Sequence, residues 1–561
     1  MDSRVFVCLL FSAFLGNPVY SQGFLSNNTQ LQEYVRRDQL FNHDDSVFNI
    51  SFHLRALNSS FKNNERFYGL NNVGRKPYEG TENFGIGILP IIHRLYMNSN
   101  RPYGWADGPV IPNRGLQYFG TFGVYSKLLF FRIQFQPEII IAQNLPFEGF
   151  SDAFNRDINR LRFRIFNFGD YPERFGSGKY TNFLWGQSKI TAQFGGFETG
   201  ISTQNIWWGP GQWNALTFSN NAPGFPHLSL NTIDPVHTFL GRFEGQLIVG
   251  RLESSRAEAT QSKELNERFS LPFTNDWRYL NGITVSYNPK WISGLFLGFT
   301  RTYQQYNEYR RDEFRDHFPI FDAFQKTVVG FDRDIDGKDQ QATIFARFLS
   351  VKAKAEIYFE YGRRDHAFNW REAILNPEHA RAYLFGFKKL FDLNNLEKII
   401  QVRGEMTHQQ ESVNRYMRYP GINGGLSWHT HSKARGFTHF GQPLGVGIGT
   451  GSNVQTLEIS LVENFDKLGV LFERLANHQD FYYQAFGQQH EHQPWVDLSI
   501  GFLFDKKWEQ FLLSSKLQLI NGFNYQWQLS PDSTPEFPKG QHLFSVHSQV
   551  SLIYLFQKSA E

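Results

Sequence analysis

Apolar and polar residues alternate one by one in segments spread over the whole chain. In the range 517–529 the apolar residues take the odd positions, and only Ile520 and Asn521 break the pattern. In the range 544–556 the apolar residues take the even positions, opposite polar residues such as His547. Shorter runs of the same kind are centred on Ile133, Leu247 and Phe359. A period of two is typical of β-strands, so we expect strands along the whole chain.

No segment after the first 21 residues is long and apolar enough for a membrane-spanning helix, which needs roughly 18 to 20 apolar residues. A chain that crosses a membrane without such helices must close its strands into a β-barrel, because lipid offers the backbone no hydrogen-bond partners. One alternating strand by itself would suit a soluble sandwich equally well. The choice between the two folds therefore depends on other features.

Three features favour the barrel. Aromatic residues are expected at membrane interfaces, where the strands of a barrel end. Four such residues lie near predicted strand ends: Tyr525, Trp527, Tyr554 and Phe556. The polar strand faces carry charges and amides, which a hydrated lumen accepts. The strand 550–556 resembles the C-terminal insertion signal of outer-membrane barrels, although five residues follow it. A lipid-facing exterior around a polar interior also explains how 58 phenylalanines coexist with a mean hydropathy of −0.43.

The first residues indicate export. Residues 1–21 resemble a secretory signal peptide, with Arg4 before an apolar stretch and the breaker Asn17-Pro18 after it. Cleavage before Gln22 would remove Cys8, the only cysteine. The formal net charge of +3 gives no basic surface for nucleic acid. We therefore predict an outer-membrane protein that needs lipid and the barrel-assembly machinery, binds no nucleic acid and is a monomer.

The chain length predicts the number of strands. Residues 22–75 contain an amphipathic helix near 29–40 and are predicted to be a periplasmic leading segment. Residues 76–561 would form the barrel. At about 27 residues per strand with its loop, these residues give about 18 strands, with 16 as the alternative. The predicted fold is an all-β, antiparallel transmembrane β-barrel.

Motifs of enzymes, cofactors and metals are weak. The sequence has no G-x-S-x-G, H-E-x-x-H or phosphate-loop motif, and no cofactor is predicted. Asp332, Asp334 and Asp336 begin like a calcium loop, but Thr343 stands where a glutamate is needed, so a solvated turn is favoured. The alternating glycines of 445–451 indicate a loop or a strand packed closely against something. Histidines at 429 and 431, and at 490 and 492, are interpreted as loop residues rather than metal ligands.

Residues 206–226 form the most specific stretch, with three Trp, three Gly, three Pro and three Asn. Its prolines make a poor strand, so we expect an ordered loop or an inward fold. Tryptophan faces stack on sugar rings, and asparagine amides offer a donor and an acceptor to hydroxyls. The equally favoured alternative is a plug that anchors inside the barrel. The candidate carbohydrate-binding or plug residues here are Trp207, Trp208, Trp213, Asn214, Asn220 and Asn221.

Several motifs resemble those of the Wzi-type capsule-assembly family. The most specific are Trp207-Trp208-Gly209-Pro210-Gly211 and the range 216–226, Leu-Thr-Phe-Ser-Asn-Asn-Ala-Pro-Gly-Phe-Pro. Weaker matches surround Asp107, Arg114, Glu138 and Glu360, and cover the range 436–449. Together they extend over most of the chain.

The resemblance implies an occluded outer-membrane lectin that ties capsular or related polysaccharide to the cell surface without breaking bonds. Asp107, Arg114, Glu138 and Glu360 are second-rank polar candidates for the lumen. Two alternatives remain at this stage. A porin or sugar-uptake channel would share the barrel, and an exported polysaccharide hydrolase would need two carboxylates at hydrolytic separation.

Overall fold

The structure is a computed structural model of the chain. It describes residues 29–41, 50–54, 84–311, 313–321, 337–364, 370–375, 377–393, 398–412, 427–487 and 491–556. The predicted signal peptide, the acidic turn at 332–336 and the last five residues lie outside these ranges. Residues 55–83 also lie outside, so the division between a leading segment and a barrel at residue 75 stays a prediction.

Alternation of side chains along the chain produces strands, as predicted. Their bounds are β1 Phe84–Asn98, β2 Gly115–Leu128, β3 Phe131–Phe135, β4 Glu138–Ala142, β5 Tyr180–Leu184, β6 Lys189–Phe194, β7 Phe197–Ser202, β8 His227–Thr232, β9 Val236–His237, β10 Gly241–Leu252, β11 Arg278–Pro289, β12 Leu295–Tyr306, β13 Asp339–Ser350, β14 Ala355–Arg364, β15 Arg381–Asp392, β16 Ile399–His408, β17 Thr438–His439, β18 Gln442–Pro443, β19 Asn453–Glu463, β20 Asp466–Ala476, β21 Val496–Trp508, β22 Phe511–Phe523 and β23 Leu543–Tyr554.

All of these strands except β17 and β18 form one closed antiparallel barrel. Apart from the short strands described next, each pairs with its neighbours along the chain, and β23 pairs back onto β1 to close the wall. The short strands β3 and β4, β5 and β6, and β8 and β9 lie in line, so each pair forms one stave of the wall. The described residues therefore make an 18-stranded barrel, which confirms the predicted fold and the preferred strand number.

The wall is apolar outside and polar inside. Along β21 the outward Ile500, Phe502 and Phe504 are exposed, while the inward Asp497 and Asp505 are buried. The predicted faces of β14 and β23 follow the same rule: Ile357 and Phe359 point outward, and Glu360 points inward. The pattern of one strand cannot show whether its apolar face meets lipid or packs in the core of a soluble protein. The closed wall answers this question, because its apolar face lies on the outside.

One predicted strand is wrong beyond Phe523. We expected 517–529 to be a single strand with Tyr525 and Trp527 at a membrane interface. Instead Asn524 adopts the left-handed conformation at φ 53°, and a 3₁₀ turn over Tyr525–Trp527 follows. Both rings are then buried. The chain leaves the wall there because the turn redirects the backbone over the barrel mouth.

The two ends of the barrel differ. Short turns, such as those between β19 and β20 and between β21 and β22, lie at one end. Longer connections lie at the other end. In outer-membrane barrels short turns are periplasmic and long loops are extracellular. The described helices are α1 Thr29–Asp38, α2 Arg156–Gly169, α3 Lys263–Phe269, α4 Phe314–His317, α5 Trp370–Leu375 and α6 Gln479–Phe486, together with 3₁₀ turns at Asn307–Tyr309, Pro319–Phe321 and Tyr525–Trp527.

None of the described helices is long and apolar enough to span a membrane. The predicted amphipathic helix near 29–40 is present as α1. It lies inside the short-turn end of the barrel, where Arg37 hydrogen-bonds to the carbonyl of Asn464 in the β19–β20 turn. Arg36 donates to Glu356 on the wall at 2.8 Å. The helix therefore occupies the periplasmic mouth of the barrel.

The wall is interrupted between β3 and β4 and between β5 and β6 at the same height. Pro137 has no N–H, and the backbone here leaves the regular ladder. The backbone carbonyl groups at this interruption still accept hydrogen bonds from neighbouring groups. Gln187 N donates to Gln136 O at 2.9 Å, and Thr203 Oγ1 donates to Gly186 O at 2.8 Å. Such pairing is required at membrane depth, because lipid cannot supply it.

Candidate functional site

Loops folded inward from the long-loop end fill the lumen above α1. We name them the first loop (residues 99–114), the tryptophan loop (203–226) and the glycine loop (427–452). Their buried side chains include Trp208 and Trp428, both fully buried. Above them, α2 and α6 pack their aromatic side chains into a lid that includes Phe163, Phe481 and Trp527. The lumen is thus occupied from lid to helix.

Trp208 anchors the tryptophan loop to the wall. Its indole N–H donates to Gln246 Oε1 at 2.8 Å, and its ring packs edge-on against Phe218 at 4.9 Å. Gly282 on β11 leaves room for the indole, since a Cβ there would lie 3.0 Å from the ring. The short segment 50–54 crosses beside it, and Gly209 N donates to His53 O at 3.1 Å. This tryptophan is a packing residue of the plug.

Two inward glutamates of the wall hold the turn of the tryptophan loop. Glu405 accepts hydrogen bonds from the backbone N–H groups of Gln212, Trp213 and Asn214, two of them at 2.5 and 2.9 Å. Glu360 accepts from the N–H of Leu216 at 3.2 Å. Carboxylates that accept several N–H donors fix a backbone strongly. Both therefore act here as loop-holding groups.

The glycine loop packs directly against the tryptophan loop; the glycine spacing predicted a close contact but not its partner. A Cβ at Gly445 would lie 2.1 Å from Leu216 O, and one at Gly447 would lie 1.9 Å from Asn221 Oδ1. Asn221 joins two loops, since its Oδ1 accepts from Ala106 N at 3.0 Å and its Nδ2 donates to Pro443 O at 3.0 Å. The three inward loops are therefore locked to one another.

Ion pairs attach α1 to the wall below the loops. Glu33 lies 3.1 Å from both Arg403 and Lys467, and Lys467 also lies 3.1 Å from Asp505. Burial by itself would raise the pKa of the Glu33 carboxyl, but Arg403, Lys467 and Arg37 outweigh burial and hold that pKa well below its usual range. Glu33 is thus ionised, and its charge is shared among the three cations.

A cavity of about 190 Å³ remains between α1 and the inward loops. A water needs about 10–15 Å³ on this measure, so the cavity has room for a small solute. Its strand residues extend from the short-turn end, as at Lys467, Asp505 and Ser514, to Glu473 nearer the other end. The side chains that give it an aromatic and polar lining include Tyr103, Trp105, Asp107, Trp207, Trp213, Asn220, Lys516, Gln518 and Gln549.

Trp213 presents the most accessible ring of the tryptophan loop. It is half-buried, and the guanidinium of Arg403 lies 4.5 Å from the ring centroid on one face. Trp207 is mostly buried, and its indole N–H donates to Gly209 O at 3.0 Å. Across the cavity, burial raises the pKa of Asp107. The arrangement combines aromatic faces, amides and charges, as sugar sites do.

The predicted residues fall into three groups. Those that line the cavity are Trp207, Trp213, Asn220 and Asp107. Those that hold the inward loops are Trp208, Asn214, Asn221 and Glu360. The last two, Arg114 and Glu138, lie elsewhere: Arg114 donates to Ser99 O and Pro146 O, and Glu138 accepts from Gln187 beside the interrupted wall. Sequence reasoning missed Trp105, Lys516 and Gln549, which only the fold brings to the cavity.

His429, His431 and His492 are engaged in internal contacts, and His490 lies outside the described residues. His429 Nε2 lies 2.5 Å from Gln409 Nε2, and His431 Nδ1 accepts from Ala434 N at 3.0 Å. Burial lowers the pKa of His429 to about 3, so its ring is neutral. Within the described part of the chain, no group of three His, Cys, Asp or Glu side chains could hold a metal ion.

Comparison with known proteins gives one family and a related fold. Residues 131–515 match the family model described as "Capsule assembly protein Wzi". The Wzi structure from Escherichia coli, described as an outer membrane protein involved in group 1 capsule assembly and a carbohydrate-binding β-barrel, aligns with a TM-score of 0.52 and 11% identity over 83% of this chain and 85% of that one. OccAB2 of Acinetobacter baumannii aligns with a TM-score of 0.39 and 8% identity over 85% and 99%. No curated protein matches the sequence.

Proposed function

The chain belongs to the Wzi family of capsule assembly proteins, and from this premise we propose that it is an outer-membrane barrel that binds surface polysaccharide and anchors it to the cell. The observation that carries this proposal is the family match, which spans most of the wall and two of the three inward-folded loops, the tryptophan loop and the glycine loop. The solved Wzi barrel is described as carbohydrate-binding, and this chain offers an aromatic and polar cavity for the same role.

The filled lumen supports an anchor over a sugar-uptake channel. A channel needs a continuous water path, whereas here the lid, the inward loops and α1 lie one above another along the barrel. The loops are tied by hydrogen bonds to buried wall glutamates rather than resting loosely in the lumen. A barrel of this kind suits a protein that holds a ligand and does not pass it through.

The site of glycan contact is proposed to be the cavity lined by Trp207, Trp213, Asn220 and Asp107. Aromatic faces can stack on the C–H surfaces of a sugar ring, while the amide and the carboxyl pair with its hydroxyls. Trp208, Asn214, Asn221 and Glu360 would support this site by holding the loops. No catalytic step is proposed: Glu405 holds three backbone N–H groups, and Glu360 accepts from the N–H of Leu216. The monomer and the need for assembly machinery are part of the proposal.

Retention of polysaccharide on cells tests the function. Deletion of the gene is expected to release surface polysaccharide into the medium, and the wild-type chain should restore attachment. The Trp213→Ala variant should bind glycan about tenfold more weakly or worse, since buried tryptophans dominate many interfaces. Trp291→Ala is the matched control, because Trp291 is exposed on a short turn far from the cavity. Unchanged attachment together with reduced sugar uptake would favour the channel instead.

A further inference from the structure

The outward face of the wall changes character on five neighbouring strands, β14, β15, β16, β19 and β20. In the middle of these strands the outward side chains are apolar and exposed, as at Phe359, Phe385 and Phe472. Toward the long-loop end the outward side chains become polar or charged. They include Tyr361, Arg363, Arg381, Tyr383, His408, Gln455 and Arg474. We name these seven residues the basic border, because their charged members are all basic.

Two arginines of the basic border lie directly opposite each other. Arg363 on β14 faces Arg381 on β15 in the strand register. Side chains in such positions start from Cβ atoms about 5 Å apart, so their charges add to one local positive potential. The described carboxylate that acts on this part of the border is Glu378, in the loop before β15, which also accepts from the hydroxyl of Ser412. Two guanidinium groups therefore meet one carboxylate, and a positive charge is left over.

Arg381 keeps one edge of its guanidinium open. Its Nη1 atom lies 3.4 Å from His408 Nδ1 and donates to Gln410 O at 3.3 Å. The Nε and Nη2 atoms form no hydrogen bond with a described residue. These two nitrogens lie on the same edge of the planar group, and such an edge binds two oxygens of one anion. The guanidinium also lies 5.2 Å from the ring centroid of Tyr383, which helps to hold it in place.

A third arginine continues the border along the wall. Arg474 on β20 is exposed and donates to Gln455 Oε1 at 3.1 Å, across the β19–β20 pair. It forms no ion pair with a described carboxylate. Arg381 and Arg474 lie three strand spacings apart, which is roughly 14 Å. The border thus presents a row of cations to the membrane rather than one isolated charge.

The position of the basic border matches the headgroup layer of the membrane. A charged side chain on the lipid face is costly at the middle of a bilayer and nearly neutral at its edge. Tyr361 and Tyr383 lie opposite each other two residues below the arginines, and His408 stacks on Tyr383 at 4.7 Å. Tyrosines at this level are typical of the aromatic girdle of a barrel. Because the long loops are extracellular, these arginines face the headgroups of the outer leaflet.

We propose that the basic border binds phosphate-bearing lipids of the outer leaflet, with the Nε–Nη2 edge of Arg381 on a phosphate and Arg363 and Arg474 adding positive charge. A lipid fits better than a free phosphate ion, because the apolar belt with Phe359 and Phe385 lies directly below the arginines and receives the acyl chains. The inference concerns the outer side of the wall and is independent of the glycan-binding cavity in the lumen.

The test counts the lipids that stay bound to the full chain in a neutral detergent. The chain is incubated with lipid A that carries two phosphates, or with the same lipid after both phosphates are removed, and native mass spectrometry measures binding. The phosphorylated lipid should bind at least about fivefold more tightly. Arg381→Gln should weaken its binding about fivefold. Arg381→Lys should retain part of the binding, because lysine keeps the charge but not the two-nitrogen edge.

Arg251→Gln is the matched control. Arg251 is also an exposed outward arginine at the long-loop end of a strand, but it pairs with Glu253 at 2.6 Å. This variant should bind the lipid like the wild-type chain, and heat-modifiable gel mobility verifies that each variant is folded. Equal binding of the two lipids, or unchanged binding in Arg381→Gln, overturns the inference. Displacement of the lipid by an equal concentration of inorganic phosphate overturns it as well, since the site would then belong to the free anion.

Discussion

At the scale of single residues, the position of the tryptophan loop depends on Glu405. Its carboxylate accepts three consecutive backbone N–H groups and the hydroxyl of Tyr358 at 2.8 Å. Glu405→Gln keeps the shape but replaces one acceptor oxygen by an NH₂ group that faces donors. We expect a loss of about 1–3 kcal/mol in stability, seen as a lower temperature for the heat-induced shift in gel mobility. The exposed Glu264→Gln on α3 should leave that temperature unchanged, and an equal effect of both variants would contradict this role.

Gly447 is a residue whose small size has a measurable consequence. Addition of a methyl group would place Cβ 1.9 Å from Asn221 Oδ1, so the Asn221 side chain would have to move and give up its hydrogen bonds to Ala106 and Pro443, which join the loops. Gly447→Ala is expected to destabilise the barrel by about 1–3 kcal/mol, as overpacking of a close contact usually does. Gly178→Ala is the control, because nothing lies within 4 Å of the added Cβ there. Thermal gel-shift curves of the two variants should differ clearly; coincident curves would refute the close packing.

The sequence identified the tryptophan loop but not the part that each ring plays. Composition alone shows that Trp207, Trp208 and Trp213 do not belong to an alternating strand. Which ring meets Gln246 of the wall and which meets the cavity depends on contacts with residues far away in the chain. Lys516 shows the same limit, since nothing in the local sequence indicates that this inward lysine of a strand lines the cavity.

At the scale of elements, α1 depends on charge for its place in the periplasmic mouth. The pKa of Glu33 is lowered in the folded chain, so its contribution to stability is complete above the ordinary carboxyl pKa of 4.5. This contribution is lost as the pH falls from that value through the lowered pKa. We expect α1 to be firmly docked at neutral pH and to loosen in acid.

Glu33→Gln tests this docking. At pH 7 the variant should lose about 1–3 kcal/mol of local stability, because the ion pairs of Glu33 are lost. The loss is not larger because Arg403 and Lys467 keep Glu458 and Asp505 as partners. Hydrogen exchange of the α1 amides should be faster than in the wild-type chain at pH 7, and the two should converge as the pH falls below the ordinary carboxyl range. The exposed pair of Lys398 and Glu463 provides the control: Glu463→Gln should cost less than about 1 kcal/mol. A difference for Glu33→Gln that is independent of pH would contradict the electrostatic explanation.

The strands were predictable because a barrel wall has two different environments, lipid outside and a polar lumen inside. Every residue of a strand faces one or the other. The failure at Tyr525 and Trp527 has a physical reason as well. The alternation continues past Phe523, but Asn524 in the left-handed conformation turns the chain, and the two rings pack with Trp495. The alternation of apolar and polar residues indicates which face each side chain occupies, but it does not show where the backbone turns.

At the scale of the whole molecule, the filled lumen predicts that the barrel does not conduct. The inward loops and α1 occupy the path along the axis, and buried hydrogen bonds hold them there. In a planar bilayer the purified protein should give no stable conductance steps under conditions in which an open porin does. Regular steps at low voltage would show that the filling opens, and would support a transport function.

The way the wall and its filling are interleaved also has a consequence for how the protein is made. Arg36 meets Glu356, 320 residues later in the chain, and Trp428 meets Leu216, 212 residues earlier. The last strand closes on the first. Contacts between such distant parts form slowly. The loops and α1 are held by side chains of the wall strands, so they reach their final places only where those strands are present. Until β23 pairs with β1, these two strands are free sheet edges, and such edges must be shielded until the ring is complete.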